Sequence, residues 1–120
     1  MKQTKSTNPE LLAAIRLLKK AAKENKARIW SRIAELLSKP RRKRIAVNVS
    51  QLNRHTEKGE TVVVPGKVLG TGNIDHAINV AAFAFTESAR LKILKAKGKC
   101  LDFSDLIKKN PKGSKVKIIR

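Results

Sequence analysis

The chain has 120 residues, 41% of them apolar, and carries 28 Lys and Arg against nine Asp and Glu, a formal net charge of +19. That composition supports one compact domain with a modest core and argues against wholesale disorder. Cys100 is the only cysteine, which excludes an intrachain disulfide, and no apolar run approaches the ~20 residues that span a bilayer. A domain of this charge repels itself when free, so a polyanionic partner is expected, nucleic acid first and an acidic membrane surface second. Met1-Lys2-Gln3-Thr4-Lys5 lacks the apolar core of a secretory signal, so a soluble, cytoplasmic chain is expected.

Residues 1–7 read as a basic flexible arm. Asn8-Pro9-Glu10 is a helix start: Asn as cap, Pro at the first helical position, Glu against the positive helix end. Leu11, Ile15, Leu18 and Ala22 follow at helical spacing. A second helix is predicted over 27–38, with Ile29 or Trp30, Ile33, and Leu36 or Leu37 facing inward, and Pro40 cannot continue it. These helices make an N-terminal helical segment, 8–38. Residues 39–44, Lys39-Pro40-Arg41-Arg42-Lys43-Arg44, form the densest charge run and divide it from a mixed α/β domain over 45–120.

In that domain Ile45 to Val49 alternates like a strand, and Ser50 is a candidate cap for a short helix to about Arg54. Thr61-Val62-Val63-Val64 has the β-branched run of a buried strand, and Pro65-Gly66 suits a type II turn with positive φ at Gly66. Gly70-Thr71-Gly72 marks another loop. Residues 78–85 predict a further buried strand, and Thr86 a cap for a helix to about Lys97. Ser104 can cap one more helix stopped by Asn110-Pro111, and Lys115 to Ile119 is the last strand. The fold class is mixed α/β: two N-terminal helices, then a small domain of irregular strand–strand–helix units.

Catalytic chemistry finds little support. A nucleophile needs a base within reach that a third group orients, and His55 and His76 fall in surface or loop regions, with Asp75 a mere sequence neighbour of His76. One Cys and two scattered His match no zinc spacing. Gly66 to Gly72 fails as a P-loop, because Lys67 is followed by Val68, and fails as a dinucleotide fingerprint, because Asp75 stands where the third glycine belongs. No enzyme activity, cofactor, metal or small-molecule substrate is expected. The four aromatics, Trp30, Phe83, Phe85 and Phe103, all lie on apolar stripes, leaving none as a stacking platform for unpaired bases. Binding through phosphates and shape is the remaining mode.

The sequence resembles ribosomal protein eighteen of the archaeal and eukaryotic large subunit, a distant relative of bacterial large-subunit protein fifteen. The resemblance runs from Asn8-Pro9 to the end. It rests on Lys39-Pro40-Arg41-Arg42 with Val47-Asn48-Val49, on Val62 to Gly72, and on Pro111-Lys112-Gly113-Ser114 with Val116 to Arg120. The length is that of the archaeal form. The resemblance implies a ribonucleoprotein role: a structural constituent of the large ribosomal subunit, bound to ribosomal RNA and beside other large-subunit proteins, without catalysis or membrane attachment. The expected RNA-binding residues are Lys39, Arg41, Arg42, Lys43, Arg44, Arg54, Gly66, Lys67, Lys112 and Lys115. A free-standing RNA- or DNA-binding regulator is the rival reading.

Overall fold

The computed structural model describes residues 9–39 and 45–120. Helix α1 spans Pro9–Asn25 and buries Leu11, Ile15, Leu18 and Ala21. The last turn thus buries Ala21, while Ala22 is only partly covered. Helix α2, Arg28–Leu37, packs against it and buries Trp30, Ile33, Ala34, Leu36 and Leu37. Of the alternatives left open for its inward face, Trp30 is buried rather than Ile29, while Leu36 and Leu37 are both buried.

Five strands form one sheet: β1 (Ile45–Asn48), β2 (Thr61–Leu69), β3 (Asn79–Phe85), β4 (Lys99–Leu101) and β5 (Val116–Ile118). All the pairings are parallel, in the order β1-β2-β3-β4, with β5 also on β2. Helices α3 (Val49–His55) and α4 (Glu87–Lys95) cover one face of the sheet; α1, α2 and α5 (Phe103–Lys109) cover the other. That double cover is why β2 reads as an unbroken valine run. Val63 faces the core of α1, α2 and α5, whereas Val62, Val64 and Val68 face the opposite core with Leu52, Ile78 and Ile93.

The clearest departure from expectation is at Pro65-Gly66. Strand β2 runs straight through it, with a register shift against β3 between Val64 and Lys67. On its other edge, β5 stops at Val63–Ile118 and β1 begins at Gly66–Ile45. Pro65 therefore sits in the gap between two half-strands, beside a bulge, where its missing N–H breaks no ladder. Gly66 is not among the residues with positive φ. It is glycine because a Cβ there would overlap the backbone carbonyl oxygen of Ile45.

Two caps also differ from expectation. Asn48 rather than Ser50 precedes α3, and its N–H donates to Gln51 Oε1 at 3.1 Å. Asp102 rather than Ser104 caps α5, accepting from the Asp105 N–H at 2.7 Å. Thr86 caps α4 as expected, accepting from Ala89 N–H at 3.3 Å, but that helix ends at Lys95. Strand β4 has no counterpart among the elements expected from the sequence. Trp30 and Phe103 are core; Phe83 and Phe85 are only partly buried, and the Arg90 guanidinium lies 5.3 Å from the Phe85 ring centre. Among the described residues no helix is long and apolar enough to cross a membrane.

Candidate nucleic-acid interface

Because the strands are parallel, the turns that precede β2, β4 and β5 open at one end of the sheet. The turn between α1 and α2 joins them there. Lys112 Nζ donates to Asn25 O at 3.2 Å, and the Trp30 indole N–H donates to Pro111 O at 2.8 Å, fastening the segment before β5 to the helical hairpin. Asn110 holds the same segment through its Nδ2 donating to Ser114 O at 2.7 Å and its Oδ1 accepting from the Ser114 N–H at 3.2 Å. This brings two of the expected RNA-binding residues, Lys112 and Lys115, onto one ordered rim, both exposed.

Arg54 is exposed in the last turn of α3. It adjoins His55, whose carbonyl accepts from Lys117 Nζ at 3.1 Å, so it stands close to the same end. Lys67 is exposed on β2, paired across the sheet with the small residues Ala46 and Ala84. Gly66 is buried beside it. Lys39 is exposed just beyond α2, while Arg41, Arg42, Lys43 and Arg44 lie outside the described residues.

Several cations are committed to the fold. Lys92 Nζ donates to both Gly70 O and Gly72 O at 2.6 Å, closing the glycine loop onto α4. Replacing Lys92 with Met should lower unfolding stability by about 1–3 kcal/mol, because two carbonyls lose a charged donor; a denaturant midpoint equal to the parent's would refute it. Lys117 pairs with Glu60 at 3.1 Å. The backbone N–H of Glu57 and then Lys117 hold the Glu60 carboxyl below its ordinary range.

Of the residues weighed for catalysis, Asp75 and His76 do face each other, and Thr56, not considered from the sequence, joins them. Asp75 Oδ1 lies 2.8 Å from His76 Nδ1, and Thr56 Oγ1 lies 2.7 Å from His76 Nε2. The hydrogen bond from His76 is the main cause of a lowered Asp75 carboxyl pKa. The set resembles a nucleophile, base and orienting acid, but Thr56 is 8% exposed and its hydroxyl donates to Leu52 O at 2.6 Å. A buried hydroxyl with its proton so engaged is a clip between the end of α3 and the approach to β3. Cys100 is no better placed: burial pushes its thiol pKa up, away from the reactive thiolate.

The family model described as ribosomal protein 60S L18 and 50S L18e matches residues 1–120. The chain belongs to this family. Its relatives in the family include the large ribosomal subunit protein eL18 of Methanoregula boonei, 51% identical over 114 residues, 95% of this chain and 94% of that one. The protein of the same name from Methanospirillum hungatei is 47% identical over the same shares. That from Methanococcus maripaludis is 45% identical over 99% of both chains. Membership of the family agrees with the resemblance carried by the basic run, the Val62 to Gly72 segment and the C-terminal strand.

Proposed function

We propose that this protein is a structural, non-enzymatic constituent of the large ribosomal subunit, acting in translation in the cytoplasm by binding and stabilising folded ribosomal RNA beside neighbouring large-subunit proteins. The observation that carries the proposal is near-full-length kinship to archaeal large-subunit proteins, joined to a net charge of +19. The RNA-facing set is Lys39, Arg41, Arg42, Lys43, Arg44, Arg54, Lys67, Lys112 and Lys115. Gly66 contributes by letting β1 lie close enough to β2 to present Lys67. In this reading the arm 1–7 and the loop 39–44 supply charge at the margins of the helical segment 8–38 and the RNA-binding domain 45–120. The free-standing regulator has no comparable support.

Phosphate contact makes affinity depend on salt, because each neutralised phosphate releases condensed counterions. If about six to ten phosphates are engaged, affinity for large-subunit RNA should fall roughly 10³–10⁵-fold between 50 and 200 mM salt. A binding series on protein-free large-subunit RNA measures this, and an affinity nearly independent of salt would defeat the proposal. Co-sedimentation with large subunits after a moderate salt wash separates a subunit component from a regulator.

A further inference from the structure

Among the described residues, three that are not glycine have positive φ: Lys26 at 51°, Lys97 at 67° and Lys115 at 60°. All three are lysines, although Lys and Arg together make up only 28 of 120 residues. Left-handed backbone is costly for a residue with a Cβ and long side chain, and glycine is its ordinary occupant. Lys97 lies where glycine is most strongly preferred. The Lys97 N–H donates to Leu94 O and the Gly98 N–H to Ile93 O, both at 2.9 Å, which is the two-bond closure of a helix C-terminus with Lys97 at the left-handed position. Lys26 holds the corresponding place after α1, where Ala27 N–H donates to Ala22 O at 3.1 Å.

The same end of the sheet uses glycine at two left-handed turns, at one of which, Gly113, a Cβ would also crowd the Ile29 side chain. Gly59, with φ of 85°, precedes β2, and Gly113, with φ of 67°, precedes β5. Around Gly59 nothing would obstruct a side chain, yet none is present. The three lysines, by contrast, are exposed and have no hydrogen bond or ion pair from their side chains among the described residues. They also share a location. Lys115 immediately precedes β5, Lys97 lies two residues before β4, and Lys26 is in the hairpin turn that Lys112 ties to the segment before β5. Val116, Thr61, Asn79 and Lys99 stand side by side across four strands, a span of roughly 15 Å at ordinary strand spacing.

We infer that Lys26, Lys97 and Lys115 form one RNA-phosphate-binding rim at the amino end of the sheet, in which strained backbone is retained to hold a cation at each turn. The inference rests on the RNA-binding reading above and adds Lys26 and Lys97 to it. Strain of this kind concentrates where function over-determines the backbone. The span suits more than one phosphate of a folded RNA, read by charge and shape.

The test is a set of full-length variants, Lys26→Gly, Lys97→Gly, Lys115→Gly and the triple. Each is melted and then titrated against protein-free large-subunit RNA over a potassium chloride series. Each single substitution should raise the melting temperature by about 2–4 °C, since left-handed strain is relieved. Each should also make the slope of log affinity against log salt shallower by roughly 0.7–0.9. The singles keep the result readable should the triple fail to fold. Variants that melt higher but keep the parent slope, or that melt no higher, overturn the inference. A parent without steep salt dependence overturns the RNA-binding reading instead, so the two failures are distinct.

Discussion

Replacing Arg41, Arg42 and Arg44 together with Gln is expected to make the salt slope of RNA binding shallower by up to about three units, one for each phosphate no longer neutralised. Incorporation into large subunits should fall with it. Guanidinium forks grip two phosphate oxygens at once, which an amide of similar length cannot do with charge, and Lys43 and Lys39 offer only point charges in compensation. The segment is bounded by α2 and β1, and both cores are already densely filled by the described residues of the helices and the sheet, so the variant should retain the parent's circular dichroism and melting behaviour. A folded variant with the parent's slope that enters subunits normally would show the run to be solvated. The RNA anchor would then fall to Arg54, Lys67 and the rim lysines.

The second large effect is at Gly66. Because the first side-chain carbon would already overlap Ile45 O, with Ile45 C only 2.9 Å away, Gly66→Ala should incur most of the cost of Gly66→Val. Both should destabilise by about 3 kcal/mol, the upper part of the range for overpacking, since the obstacle is backbone in a paired strand and not a movable side chain. For a domain of this size that corresponds to a melting temperature lower by about 10 °C. Had Gly66 served a left-handed turn, Ala and Val would act through torsional strain, and relief by Asn would be expected. In the sheet, Asn should be as harmful as Ala. Equal melting temperatures for parent and Gly66→Ala would discard the close-approach explanation.

The two readings of Gly66 show where sequence was informative. Apolar spacing located α1, α2 and β3, because each has a long one-sided or two-sided apolar pattern that burial explains, and the alternation of Val116, Lys117 and Ile118 located the short last strand. Pro-Gly carries a strong local preference for turns, and nothing near it in sequence announces that two short strands would meet end to end opposite it. That fact belongs to Ile45 and Ile118, far away along the chain. Strand β4 escaped for a related reason. Lys99-Cys100-Leu101 has no alternation of its own and is a strand only because β3 offers an edge. At the interface, basic residues were legible but not their employment. Lys92 and Lys117 are engaged by carbonyls and a carboxylate, whereas Lys26 and Lys97 gave one overlooked signal: helices that close without the glycine usually found there.

The arrangement around β2 also fixes when the fold can be completed. Thr61, Val62 and Val63 find their edge partner only in Val116, Lys117 and Ile118, and Ile119 is buried in the same core as Val62. During synthesis the central strand emerges long before the segment that finishes its edge, leaving an open row of amides and carbonyls beside a valine run. Pairings between such distant parts of a chain require closing a long loop before any gain is realised, which slows folding. For a chain of net charge +19, mutual repulsion opposes that closure further, and polyanion that screens it eases the final step. The nascent chain is thus open to wrong strand pairing until Val116 to Ile119 arrive, and a polyanion that screens its charge is expected to shorten that interval.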